Sequence, residues 1–163
     1  MTAASAMPGE PNEDALNRAL AAVSSDTAHP YRLEEHQCSI SVPLPAGLID
    51  DLSVLVVTVR LTRDIVSFIS PLASLTQAEL PSDLATALLR RQFFASHTEG
   101  ASFALADRED VLVALYHWMP VDITADGFSA IFGRFVSAAL RLRDEVVHMA
   151  GQGAPLHVLR SQD

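Results

Sequence analysis

The chain of 163 residues carries 20 acidic residues against 11 basic ones, all arginine, for a net charge of −9. This excess of negative charge argues against nucleic acid as a partner, because phosphate contacts need clustered positive charge. An apolar content of 49% is typical of a globular domain. No apolar run is long enough to insert into a membrane.

The N-terminal stretch MTAASAMPGEPNEDAL lacks the positive cluster and apolar run of a signal peptide, which predicts a cytoplasmic protein. Residues 1–11 show no periodicity and are predicted to form a disordered tail. A helix is expected from Glu13 to about Ser25. Its apolar residues recur at helical spacing, and they include Leu16, Leu20 and Val23.

Three strands are predicted next. In QCSISVPL the even positions Cys38, Ile40 and Val42 form an apolar face while serines point away. SVLVVTVRL is the clearest strand, and DIVSFISPL is predicted to pair with it and to end at Pro71. A loop is expected from Ala73 to Leu80.

The second helix is predicted to begin near Ser82 and to carry an apolar stripe that includes Leu84, Leu88 and Phe93. SFALAD and DVLVALYHWMP follow as a hairpin with a charged turn. Both faces of the second hairpin strand are apolar, whereas a solvated antiparallel strand carries polar residues on one side. The sequence therefore predicts that something covers each face of this strand.

The last helix has the strongest pattern in the chain, with Thr124 as the expected N-cap. Its apolar seam advances in steps of four and three residues, through Phe128, Phe132, Phe135, Ala139, Leu142, Val146 and Met149. Gly133 lies within this helix and is expected to permit a close backbone approach. Residues 151–163 are predicted to be a flexible tail.

The predicted order is α-β-β-β-α-β-β-α in a single domain over residues 12–150. This pattern indicates an α+β fold with an antiparallel sheet packed by helices.

Two constellations could carry chemistry. Glu34, His36 and Cys38 would share one strand face and could bind zinc, but no second ligand pair accompanies them. His117 and Asp122 could form an acid–base pair, but no nucleophile motif is present. The sequence therefore favours a protein without metal, cofactor or catalytic site.

From Pro81 onward the chain resembles the class I (CesT/SycE-like) chaperones of bacterial type III secretion. Four stretches carry this resemblance: LLRRQFF, FALADREDVLVAL, MPVDITADGF and FSAIFGRFVSAALRLRDEV. Arg91 and Gln92 depart from the small residue and asparagine common in the family. The element order, size and acidity agree over roughly residues 12–148.

The resemblance implies a homodimer that binds unfolded N-terminal segments of secreted effector proteins and keeps them export-competent. It implies no ATP hydrolysis, although the secretion-system ATPase is a further candidate partner. It places the dimer interface on the second helix and the strand after it, and we expect Leu84, Leu88 and Phe93 there. Client-binding candidates on the first helix and the sheet are Leu16, Leu20, Val23, Ile40 and Val42. The nearest subtype is the general export-control (HpaB-like) chaperone, which serves several effectors.

Two alternatives remain open at this stage. A YbjN-like binding protein would share the fold without a role in secretion. A small NTF2-like enzyme would place His117 and Asp122 at the mouth of a deep pocket.

Overall fold

The computed structural model describes residues 13–24, 28–45, 53–63, 65–76, 81–93, 100–106 and 110–159. The predicted tail at residues 1–11 lies outside these ranges. The described ranges hold three helices and six strands, which are α1 (Glu13–Val23), β1 (Gln37–Pro43), β2 (Val54–Thr62), β3 (Ile65–Leu75), α2 (Ser82–Phe93), β4 (Ser102–Ala106), β5 (Val111–Trp118), α3 (Ala125–Gly151) and β6 (Leu156–Val158).

All six strands form one antiparallel sheet in the order β1-β2-β3-β5-β4, and β6 pairs with β3. Because directly paired residues share a face, Cys38, Val59, Phe68 and Tyr116 form one row across four strands. This architecture confirms the predicted α+β class with an antiparallel sheet.

Helices α1 and α3 cover one face of the sheet, which we call the helix face. Phe68 is fully buried at its centre and contacts rings from both β5 and α3. Its ring centroid lies 5.8 Å from that of Phe128 and 5.7 Å from that of Phe135. The hydroxyl of Thr124 accepts a 3.1 Å hydrogen bond from the Gly127 amide, which confirms the predicted N-cap. The apolar seam of α3 is therefore what anchors it to the sheet.

Strand β3 does not end at Pro71 as predicted. It continues to Leu75, with a shift in its register to β5 between Pro71 and Ala73. Proline has no amide hydrogen for a ladder, and a local irregularity lets the strand pass through it instead of stopping. The loop expected to begin at Ala73 therefore starts later.

The predicted flexible tail is also partly ordered. Helix α3 runs to Gly151, and β6 then pairs with the end of β3. A three-residue strand is too short to show an alternating pattern, so β6 was not predictable from local periodicity.

Gly133 does not permit a close backbone approach, because a Cβ there would meet no atom within 4 Å. Gly100, in contrast, is closely packed, because its φ is +91° and a Cβ there would lie 3.1 Å from Cε2 of Tyr116.

Candidate protein-binding surfaces

The sheet face that points away from α1 and α3 carries an apolar patch along its central strands, and we call this face the open face. The patch lies on three neighbouring strands, and the positions of its residues follow from the strand register; we define it as Val54, Val56, Ile69, Pro71, Val111, Val113 and Leu115. Most are only half-buried, and Val56 is 41% exposed. None of the seven belongs to the core beneath the helices. The second face of β5, predicted from the sequence to need a cover, therefore lies on this apolar surface.

A polar row borders the open face at one end. Arg60, Ser67 and His117 lie side by side on β2, β3 and β5. The Ser67 hydroxyl oxygen is 2.9 Å from Nδ1 of His117, and the Arg60 guanidinium donates a 3.5 Å hydrogen bond to Gln37. Among the described residues Ser67, and not Asp122, is the hydrogen-bond partner of His117. The acid–base pair considered from the sequence is therefore not formed.

The predicted interface on α2 has a buried side and an exposed side. Leu84 and Leu88 are each 5% exposed and belong to the core of the chain itself. The next residue, Leu89, is 66% exposed, and Leu105 on the edge strand β4 is 44% exposed. The Phe93 side chain lies outside the described part of the chain. An interface at this edge would be made by Leu89 and Leu105, and a role for Leu84 and Leu88 in it stays a prediction.

The residues predicted to bind client lie mainly inside the fold. Leu16 and Leu20 on α1 are fully buried and Ile40 on β1 is nearly so, which places all three in the core. Val23 and Val42 are half-buried at its border. Amphipathic periodicity shows which side of an element is apolar, but not whether a partner or the chain itself covers that side. The client role of these residues stays a prediction, and the open face presents more apolar surface.

The EEHQC stretch does not form the expected shared strand face. Glu35 and His36 have φ angles of +49° and +65° and form a turn, so β1 begins at Gln37. Nδ1 of His36 instead lies 3.5 Å from Oε2 of Glu13, and both side chains are exposed. Burial raises the pKa of the Cys38 thiol, with a smaller contribution from Glu34. Within the described ranges, no three His, Cys, Asp or Glu side chains are placed to hold a metal ion.

The fold resembles several solved complexes. The chain matches one chain of the ExsC–ExsE complex with a TM-score of 0.59 and 14% identity, over 82% of its own length and 94% of that chain. It matches a chain of the HopA1–SchA chaperone–effector complex with a TM-score of 0.57 and 13% identity, over 84% and 99%. The chain therefore shares its fold with one chain of each of these two complexes, in agreement with the fold that the sequence resemblance implied. At such low identity, this likeness establishes the fold alone.

A further match is the heterodimeric ExoU–SpcU complex from the type III secretion system of Pseudomonas aeruginosa, with a TM-score of 0.47 and 15% identity over 79% of this chain and 95% of that chain. No protein-family model and no curated protein matches the sequence. None of the described helices combines the length and apolarity needed to cross a membrane.

Sequence reasoning did not single out Val56 and Leu89 as exposed apolar side chains that a partner could contact. Val56 belongs to a strand that alternates cleanly, and its exposure follows only from the placement of both packed helices on the opposite face. Leu89 was visible as part of the α2 stripe, but Leu88 beside it is the residue that turns inward.

Proposed function

We propose that this protein is a type III secretion chaperone that binds unfolded N-terminal segments of effector proteins in the cytoplasm and keeps them soluble and export-competent. The observation that carries the proposal is the apolar open face on a fold shared with a chaperone–effector complex. A contiguous apolar patch of this kind on a folded domain is characteristic of protein-interaction surfaces.

The open face suits an unfolded segment better than a small molecule. Its apolar side chains lie on a broad sheet, with Val56 exposed and a hydrogen-bonding row at one end. Side chains from an extended or helical segment can pack on the apolar part while its backbone remains hydrated. Ordering the client limits the affinity per unit of buried area, so binding stays reversible. The net charge of −9 favours solubility of a protein that exposes such an apolar surface.

The proposal includes a homodimer formed through α2 and β4. Leu89 and Leu105 are the large exposed apolar side chains on these two neighbouring elements. A two-fold contact buries the same patch on both copies, so Leu89 and Leu105 are covered in each copy. This interface leaves the open face of each copy available, and the dimer then offers two client surfaces.

Two substitutions test the open face and the proposed dimer interface independently. Val56→Asp places a charge in the open face, and Leu89→Asp places one on the exposed side of α2. Ser129→Asp adds the same charge at an exposed position of α3 and serves as the matched control. Each variant is co-expressed with N-terminal segments of candidate effectors from the same organism, and mass is measured by light scattering.

We expect Val56→Asp to reduce co-purification of the segment while the protein stays dimeric. Leu89→Asp is expected to give a folded monomer, and Ser129→Asp to behave as the unchanged protein. If the unchanged protein leaves every effector segment insoluble and unbound, the chaperone proposal is wrong and a YbjN-like binding role takes its place. A monomeric unchanged protein would contradict the dimer alone.

A further inference from the structure

Strand β3 is paired on one edge by two different strands. β2 pairs with its first half, from Ile65 to Ile69, and β6 pairs with Ala73–Leu75. The opposite edge of β3 is occupied by β5. The slot beside Ala73–Leu75 is thus filled by a three-residue strand from the far end of the chain.

We propose that β6 can be displaced from the sheet, and that an extended segment of a client protein then pairs with β3 in its place. This inference rests on the proposed chaperone function, and it names a client contact that is separate from the open face. The occupant we infer is an extended segment with apolar residues at alternate positions, because that is the chemistry of the strand now in the slot.

The side chains of β6 define what the slot accepts. Leu156 lies opposite Leu75 and is buried, and Val158 lies opposite Ala73 and packs on the core. His157, between them, is exposed on the other side of the sheet. A segment with two aliphatic residues two positions apart would fill the same space, because alternate strand side chains share a face.

The main chain on either side of β6 is also hydrogen-bonded to the end of β3 and the residue after it. The Thr76 amide donates a 3.1 Å hydrogen bond to the Pro155 carbonyl, and the Leu159 amide donates one of equal length to the Leu72 carbonyl. Hydrogen bonds of this kind are independent of sequence, so another extended chain could make them equally well.

Arg143 makes an empty slot unfavourable. Its side chain is 3% exposed, and its guanidinium donates to the carbonyls of Leu159 and Leu72. Its Nε has no hydrogen-bond partner among the described residues. Removal of the Leu159 carbonyl would leave a buried cation with fewer acceptors, which is strongly unfavourable. Exchange for another strand that supplies a carbonyl avoids this cost, so replacement is favoured over simple release.

The connection to α3 favours a client over a second copy of this chain. Only residues 152–155 separate α3 from β6. The amides of Gly153 and Ala154 bond back to carbonyls of Ala150 and Met149 in the last turn of α3. A strand on so short a connection reaches its own β3 and not that of another molecule, which disfavours exchange between copies.

A reversible covalent lock tests the proposal in the full chain. Ser74 and His157 are directly opposed, and antiparallel partners at this spacing suit a disulfide. The lock is Ser74→Cys with His157→Cys in a Cys38→Ala background, and the control is the same background with His157→Cys alone. The probe is an effector segment that the unchanged protein binds.

We expect the oxidised lock to weaken binding of that segment by about tenfold or more, and reduction to restore it. The single-cysteine control should bind equally under both conditions. In the reduced protein, the segment should speed hydrogen exchange of the Leu159 amide, which loses its bond to Leu72, while the Thr76 amide stays protected. Equal binding by the oxidised and reduced lock overturns strand exchange while leaving the chaperone function intact. If the unchanged protein binds no effector segment, the proposed function fails first and this inference fails with it.

Discussion

The guanidinium of Arg143 on α3 donates a hydrogen bond to the backbone carbonyl of Leu159, just beyond β6. The same group lies 3.5 Å from the Leu72 carbonyl on β3. One buried side chain therefore joins a helix, a central strand and the C-terminal strand. Burial lowers the pKa of Arg143 from its ordinary value, although arginine stays charged over the physiological range.

Arg143→Ala is expected to destabilise the protein by about 2 kcal/mol, because the carbonyls of Leu72 and Leu159 lose a charged donor. Arg143→Lys should lose less, since an ammonium keeps the charge but lacks the planar fork that spans both acceptors. Urea unfolding measures the stability. Hydrogen exchange of the Leu159 amide reports the docking of β6, with the Leu61 amide on the far side of the sheet as an internal control. Unchanged exchange at Leu159 in Arg143→Ala would show that the guanidinium does not hold β6.

Phe68→Ala is expected to cost about 3–5 kcal/mol, because it empties a fully buried site at the centre of an aromatic cluster. The ring contacts those of Phe128, Phe135 and Trp118 at 5.7 to 6.5 Å between centroids. Phe68→Leu retains most of the volume and should cost considerably less. The measurement is the urea midpoint, and near-ultraviolet circular dichroism reports the aromatic packing. If Phe68→Ala lowers the stability no more than Phe68→Leu does, the surrounding side chains have closed the cavity left by the ring.

The sequence allowed most of the fold to be predicted because its periodicities are strong. The step pattern of α3, the Thr124 cap and the alternation in β2 depend only on local geometry, and the structure confirms all three. The path of β3 beyond Pro71 and the existence of β6 were not predictable. Both depend on pairing between residues far apart in the chain, such as Ala73 with Val158.

The sequence predicted that an uncovered apolar surface exists, but not which residues form the candidate binding surfaces. The apolar second face of β5 indicated that a surface needs covering, and the structure places Val113 and Leu115 there. The individual residues chosen from helical and strand patterns, such as Leu16 and Leu20, lie in the core of the chain, and their client role stays a prediction. An apolar stripe on one element has the same sequence pattern whether it packs on its own chain or on a partner.

The stability of the protein is expected to depend on Cys38 at alkaline pH. Burial is the main cause that raises the pKa of this thiol in the folded state, so the folded protein retains the proton to higher pH. Above about pH 8.5 the unfolded chain loses the thiol proton while the folded chain keeps it. Because the folded state then binds more protons, stability falls as the pH rises.

Cys38→Ala removes this contribution and should flatten the decline above about pH 8.5, although it lowers stability at neutral pH through lost packing. Urea unfolding of both proteins across this range measures the difference. Parallel pH profiles would contradict the assignment to Cys38. The native thiol should also react slowly with a thiol reagent, at a rate set by opening of the fold.

Gly133→Ala is expected to stabilise the protein by about 0.5–1 kcal/mol. The position is within a 27-residue helix, where glycine loses more backbone entropy on folding than alanine does. The added methyl group meets no atom within 4 Å, so it introduces no clash. Thermal unfolding measures the gain. Gly100→Ala is the contrasting variant, since its φ of +91° and the nearby Tyr116 ring make a side chain there unfavourable. A loss of stability in Gly133→Ala would indicate that this stretch of α3 packs against another molecule, and light scattering on the variant would then show a changed mass.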